Sequence, residues 1–554
     1  MKRLVAISSC IITLGVVVVS CLDYKQENAV ASSQQVSYNF HIRPILSDKC
    51  FKCHGPDGGH REAGLRLDLA DSAYAPLLET KGAFAIVPGK PEESELLKRI
   101  SSTDPGYMMP TPDSHLGALT AEEVELFRKW IAQGAKYESH WAFIAPQKNK
   151  PPQVENKKWV KNDIDYFILH KLESMRLSPN EEADQERLLK RVAYDITGLP
   201  PTEEMMQRFL ADKSENAYEK IVDELLQKPQ YGERMAVHWM DVARYSDSYG
   251  YQDDNIRTQW PWRDWVIHAF NKNLSYDQFI TWQIAGDMLS NTDKEKILAT
   301  AFLRNHKYTE EGGVVPEEYR IEYLIDKTKT YTKAILGITM ECAQCHDHKY
   351  DPFSQKDYFS MFAFFNNTRE VGYEGDVSVS QPAKNPILSI SNKERDELLQ
   401  FINAKDTTKL RVSVMGELDT LRKTYVLNRG VYDQPGEMVQ AAAVRSVMEF
   451  DTARFTRDRL GLAKWTFDEN NPLTSRVFVN QIWQLLFGNG IVKTSGDFGM
   501  QGELPSHPEL LDWLAVDFRE NGWDIKRLIK QIVMSATYRQ SANTTKTKLE
   551  KRSR

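Results

Sequence analysis

Two pentapeptides carry the most specific chemistry in this 554-residue sequence: Cys50-Phe-Lys-Cys53-His54 and Cys342-Ala-Gln-Cys345-His346. Two thiols about one helical turn apart can meet the two vinyl groups of a haem, and a histidine directly after them turns a ring nitrogen onto the iron. With 6 Cys and 12 His among the 554 residues, one such pentapeptide has a chance expectation on the order of one in a thousand, so two together are not coincidence. The remaining cysteines, Cys10 and Cys21, sit in the N-terminal segment, which leaves none for a long-range disulfide. The pattern predicts haem c twice: bound through Cys50 and Cys53 with His54 on the iron, and through Cys342 and Cys345 with His346.

Two rivals exist. Zinc needs four ligands, either both cysteine pairs together or Cys342, Cys345 and His348 plus one more, yet structural zinc motifs place their ligand pairs far closer in sequence. It stays open as the alternative at the second motif. A redox dithiol normally follows a βα pattern and does not explain a histidine after both pairs.

Around the first motif, Tyr107-Met108-Met109-Pro110 offers a thioether, and a helix is expected from Thr120 to about Gly134. Thr120 and Glu123 form a capping box, and Val124, Phe127 and Ile131 share the face expected to cover the haem. Met109 is the candidate sixth ligand and Met108 the alternative, core filling being the other role for such a pair. An axial Met raises the potential because the soft thioether favours ferrous iron. His60 and His115 read as surface residues. The sixth ligand at the second motif is not evident: His238, His306, Met340 and His348 are candidates, and an open position would make that haem catalytic.

The elements that must position these residues are mostly helical. The expected fold is mainly α and multidomain: a small all-α cytochrome c domain at 38–137, a helical domain at 155–369 holding the second motif, an irregular connecting region at 370–450, an incomplete helical C-terminal domain at 451–541, and a disordered tail at 542–554. Before them, Lys2 and Arg3 precede an apolar run from Leu4 to Val19, a signal peptide over 1–20. Val18-Val19-Ser20-Cys21 reads as a lipoprotein cleavage site with Cys21 lipidated, followed by a flexible stalk at 21–37. The chain is thus expected to be exported, periplasmic or at the cell surface, and held to a membrane by the N-terminal lipid anchor alone. A formal net charge of -6, with 71 basic among 77 acidic residues, excludes the basic stripe of a nucleic-acid binder.

Inside the helical domain, Gly198-Leu-Pro-Pro ends one helix and Thr202 opens another. A helix through His238 and Asp241 predicts a polar cluster of His238, Asp241 and Tyr245. The loop Asp247–Asp254 offers a substrate or calcium site, or a solvated turn. Glu310, Glu311, Glu317 and Glu318 form a second acidic group. Arg411–Val414 and Tyr425–Leu427 read as strands, and Ser506-His507-Pro508-Glu509 as a capping box opening a helix over Leu510–Phe518.

With these residues laid out, the chain resembles the planctomycete-type cytochrome c family, in which a haem domain precedes two domains of undefined function. The resemblance rests on Cys50-Phe-Lys-Cys53-His54-Gly-Pro-Asp and Met109-Pro110, on Thr197-Gly-Leu-Pro-Pro, His238-Trp239, Ala243-Arg244-Tyr245 and Cys342-Ala-Gln-Cys345-His346-Asp-His-Lys-Tyr-Asp-Pro, and on Ser506-His-Pro-Glu and Tyr538-Arg-Gln-Ser. It implies haem binding and electron transfer for the first domain and no established reaction for the others. The function expected is an exported dihaem cytochrome exchanging electrons with a redox partner protein or other electron acceptor. The alternative is a haem-dependent oxidoreductase, with the second haem as reaction centre, acting on an extracellular substrate such as a carbohydrate.

Overall fold

The computed structural model describes residues 35–376 and 378–543. Helices carry the fold, and among the described residues strands are confined to two antiparallel pairs. The protein is mainly α and multidomain, as its periodicity predicts. The signal segment, Cys21, the stalk as far as residue 34 and the tail from residue 544 lie outside the described residues. The chain divides after Trp141 into two compact units.

The smaller unit is built on aromatic packing between its two ends. Tyr38 stacks on Trp130 at 5.5 Å and meets Tyr137 at 4.6 Å, while the Arg43 guanidinium lies 4.6 Å over the Tyr38 ring. The helix Ala121–Ala132 opens with the expected capping box, Thr120 accepting from the Glu123 N–H and Glu123 accepting in return. Its buried residues Phe127, Trp130 and Ile131 join this aromatic core. A shorter helix, Glu95–Ile100, buries Leu96, Leu97 and Ile100.

The larger unit contains the regions 155–369, 370–450 and 451–541, and the sequence divisions near 370 and 451 are not divisions of packing. Three side-chain ties show why. Buried Arg459 holds Asp287 at 2.7 Å, Glu417 at 2.5 Å and the Ile284 carbonyl at 2.6 Å, so one guanidinium joins all three regions. Buried Asp165 accepts from the Ala536 and Thr537 N–H groups at 2.9 and 2.8 Å. Tyr276 stacks on Phe478 at 3.8 Å. The middle region contributes the two strand pairs, Ile387–Ser389 with Arg411–Ser413 and Thr424–Leu427 with Pro435–Val439, which agrees with both expected strands.

The helix Pro316–Ile335 leads into the second motif through Gly337, whose φ is +59°. Its carbonyl accepts the Phe498 N–H at 2.7 Å, and a Cβ there would sit 2.7 Å from Val477 Cγ2. Gly337→Ala therefore meets both a left-handed backbone and a clash, and we expect a loss of about 2–4 kcal/mol in denaturant unfolding.

Two local expectations are corrected. The box at Ser506–Glu509 does not form: Pro508 occupies the first helical position, so His507 becomes the cap residue and makes no capping bond, and the helix runs Pro508–Glu520. The helix Pro229–Ala243 ends on Arg244 in the left-handed region, φ 55°, so Tyr245 leaves the helix and donates to Asp247 at 2.5 Å instead of facing Asp241.

His507 gives a pH prediction. Burial, with Lys171 adding to it, holds its pKa at about 4, and Lys171 donates to the adjacent Ser506 carbonyl at 2.6 Å. The folded state thus binds this proton less readily than the unfolded chain, whose histidine titrates near 6.5. Stability is expected to fall as pH drops from about 6.5 to about 4, and His507→Gln should flatten that part of the curve of unfolding midpoint against pH.

Candidate functional site

The first motif folds as a single helical turn. Cys50 ends the helix Arg43–Lys49, the helix Phe51–His54 follows, and the Cys53 and His54 N–H groups both return to the Cys50 carbonyl, at 3.1 and 2.8 Å. Both thiols are free. Beside them opens a cavity of about 500 Å³, within the range of roughly 300–1,000 Å³ usual for ligand and cofactor sites. Cys50, Cys53, His54 and Met109 all stand in its wall, and Leu65, Leu67, Leu96 and Ile100 supply apolar surface. Met108 is not part of that wall.

Met109 is placed by its neighbours. Its N–H donates to the Arg99 carbonyl at 3.1 Å. The Arg99 side chain bonds Glu95 at 3.1 Å, and Tyr107 donates to the same Glu95 oxygen at 2.7 Å. The helix Glu95–Ile100 thereby supplies a cavity wall and fixes the methionine loop. Burial lowers the His54 pKa, which keeps the imidazole in the neutral form that binds metals, and His54 Nδ1 is buried without a hydrogen-bond partner. Burial also pushes the Cys50 thiol up to about 12.

The second motif has the same turn in different surroundings. Cys345 and His346 N–H groups return to the Cys342 carbonyl at 3.3 and 3.4 Å. Cys342, Cys345 and His346 are exposed, however, whereas Cys50, Cys53 and His54 are half-buried. His346 Nδ1 pairs with the Asp347 carbonyl at 2.7 Å, so Nε2 is the ring nitrogen that this pairing leaves for a ligand. Behind the motif, buried Asp351 accepts the Met500 N–H at 2.8 Å.

Of the four residues expected as candidates for a sixth ligand there, His306 and His348 have partners of their own. His306 pairs Nδ1 with the Lys307 carbonyl and Nε2 with Glu370, both at 2.7 Å. His348 Nδ1 accepts the Asp351 N–H at 2.8 Å. Met340 is buried in the core, and His238 lines a separate cavity.

The acidic groups do not assemble a site. Glu310 takes Lys384 at 2.7 Å and Asn255 at 2.8 Å, whereas Glu317 takes Arg320 at 2.7 Å. The loop Asp247–Asp254 turns Tyr249 into a buried cluster with Tyr308 and Tyr323. Among the described residues, no three His, Cys, Asp or Glu side chains gather to hold a metal ion.

Three family models match the chain: Planctomycete cytochrome C over residues 50–113, Protein of unknown function (DUF1549) over 163–370, and Protein of unknown function (DUF1553) over 458–554. They fall in the order that the sequence motifs predict. The chain belongs to the planctomycete-type cytochrome c family. No curated protein and no solved structure gives a significant match.

This planctomycete-type cytochrome fits a haem at its first motif on the grounds already given: free paired thiols, a buried unpartnered imidazole nitrogen, and an apolar cavity with a thioether in its wall. Motif reading did not find the wall itself. The helix Ala121–Ala132, expected to cover the haem, spends its buried face on Tyr38 and Tyr137, and Glu95–Ile100 lines the cavity instead. The signal for that helix was present in Leu96, Leu97 and Ile100, three apolar residues at helical spacing. His60 and His115 are exposed, as expected of surface residues.

Proposed function

We propose that this protein is an exported electron-transfer cytochrome that carries two covalent haems. The observation that carries this reading is the cavity into which Cys50, Cys53, His54 and Met109 all face their wall positions. Cys50 and Cys53 would hold the haem covalently, and His54 and Met109 would be its iron ligands. When bound, haem supplies one-electron chemistry. The chain's own part is to orient Met109 through the Arg99 carbonyl and to exclude water with Leu65, Leu67, Leu96 and Ile100. Both favour the ferrous form.

The second haem binds at Cys342, Cys345 and His346, where exposure suits exchange with a redox partner protein. Lipidation at Cys21 tethers the chain to a membrane, on the periplasmic or cell-surface side. Haem stoichiometry by pyridine haemochrome, on protein matured in a host able to attach haem c, tests the proposal: two haems per chain are expected. One haem with one zinc by elemental analysis would sink the dihaem claim.

Met109→Ala is expected to open the first iron to carbon monoxide and to lower the midpoint potential, while Met108→Ala leaves both unchanged. Carbon monoxide difference spectra and a redox titration read this directly. A second reading is favoured by one observation, the commitment of His306 and His348 to other partners. It makes the second haem a reaction centre acting on an extracellular substrate such as a carbohydrate. A high-spin second haem that binds cyanide supports it, and a low-spin one removes it.

A further inference from the structure

The larger unit contains a second cavity, of about 660 Å³, among the helices Pro229–Ala243, Pro316–Ile335 and Thr474–Phe487. One part of its wall is apolar, with Trp239 and Phe478. The other carries Arg234, His238, Arg244 and Lys333, against the single lining carboxylate Asp241.

The polar part is unfinished. Arg234 Nε, His238 Nε2 and Arg244 Nε and Nη1 are all buried without a hydrogen-bond partner. Arg234 and His238 lie four residues apart on one helix face. Arg244, in the left-handed cap position, keeps one tie: its Nη2 holds Asp326 at 2.6 Å. Its side chain is 31% exposed, yet Nε and Nη1 are covered. Arg234 forms no ion pair among the described residues.

Each buried donor without an acceptor costs roughly 1–3 kcal/mol, and such groups are rare unless something completes them. Guanidinium donors accept nothing, so what completes them must be an acceptor. Because they are cationic, the acceptor that gains most is an oxoanion.

We propose that this cavity binds a small molecule bearing a carboxylate, sulfate or phosphate group, the acidic group drawn by the cationic lining of Arg234, Arg244, Lys329 and Lys333 and the body of the molecule lying toward the apolar part of the wall. The site is separate from both haem motifs and is independent of whether they carry haem. It gives the segment matched by the DUF1549 model a ligand-binding role.

Calorimetric titration of the full chain with inorganic sulfate, inorganic phosphate, acetate and benzoate, at matched ionic strength, tests this. Saturable binding of at least one probe is expected, with benzoate tighter than acetate because its ring meets the apolar wall. Preference among sulfate, phosphate and carboxylate identifies the acidic group. Arg234→Gln should weaken binding about tenfold, the loss of one charge-assisted hydrogen bond, whereas Lys393→Gln, on an exposed surface, changes nothing.

Arg244→Gln is expected to do at least as much. Should it fail to fold because Asp326 loses its partner, Arg234→Gln, which breaks no ion pair, still decides the matter. Absence of saturable binding by all four probes, or binding that Arg234→Gln leaves unchanged, overturns the proposal.

Discussion

Replacing Cys50 and Cys53 together with alanine is expected to remove the haem proposed at the first motif and to destabilise the smaller unit by several kcal/mol, whereas the same pair of changes at Cys342 and Cys345 is expected to remove the haem proposed there at little cost in stability. The asymmetry follows from the surroundings of two nearly identical turns. At the first motif a cavity of about 500 Å³ with leucine and isoleucine walls stands beside the thiols. A covalently held group filling it buries apolar surface worth roughly 25 cal/mol per Å², and without that group the surface stays wet. At the second motif both cysteines and the histidine are exposed, so little burial is at stake. Haem staining of the two double variants, with thermal unfolding followed in parallel, measures both halves. Equal destabilisation by the two pairs would contradict the difference in burial.

Glu370→Gln is expected to be among the most damaging single changes in the larger unit, costing about 3–5 kcal/mol, because it leaves buried cations uncompensated. Glu370 is buried and meets Arg304 Nε at 2.9 Å, His306 Nε2 at 2.7 Å and the Lys327 ammonium. Although burial opposes its charge, these neighbours hold the Glu370 carboxyl well below the usual carboxylate range, and burial lowers Lys327 to about 8. Removing the carboxylate charge strands two cations in the core. Adding Lys327→Met to Glu370→Gln should recover part of the loss, because it removes one stranded charge. Denaturant midpoints of the two variants and the wild type decide it, and no recovery would mean that the damage comes from lost packing instead.

The features that could be read from the sequence are the local ones. A Cys-x-x-Cys-His turn is fixed by bonds between residues three and four apart, so both motifs fold as expected. The Thr120 cap, the Gly198 helix stop and the two strands at Arg411 and Tyr425 belong to the same class, whereas the strands they pair with are not among those expected. What failed was partner choice. The periodicity of Ala121–Ala132 identifies its buried face but not that Tyr38, more than eighty residues earlier, would occupy it. Glu310 and Glu317 looked like one acidic group, but Lys384 and Arg320 draw them apart. Periodicity puts Tyr245 on a helix that Arg244 ends by a single left-handed residue, a choice that no periodicity encodes.

Glu370 itself marks the same limit. It stands where composition turns irregular and predicts a domain border, yet it is the centre of a buried charge network. The cavity around Arg234 and His238 lay just as deep, its walls coming from three helices far apart in the sequence.

The seam at Gly337 and Asp351 bears on inheritance. The carbonyl of Gly337 and the carboxylate of Asp351 hold the backbone at Phe498 and Met500, so two segments described by separate family models share one set of contacts. Neither can drift alone: a change in the Val477 and Phe498 surface must be answered at Gly337. A gene that shed one segment would leave the other with an open apolar flank, and we expect the two to be gained and lost in genomes as a pair.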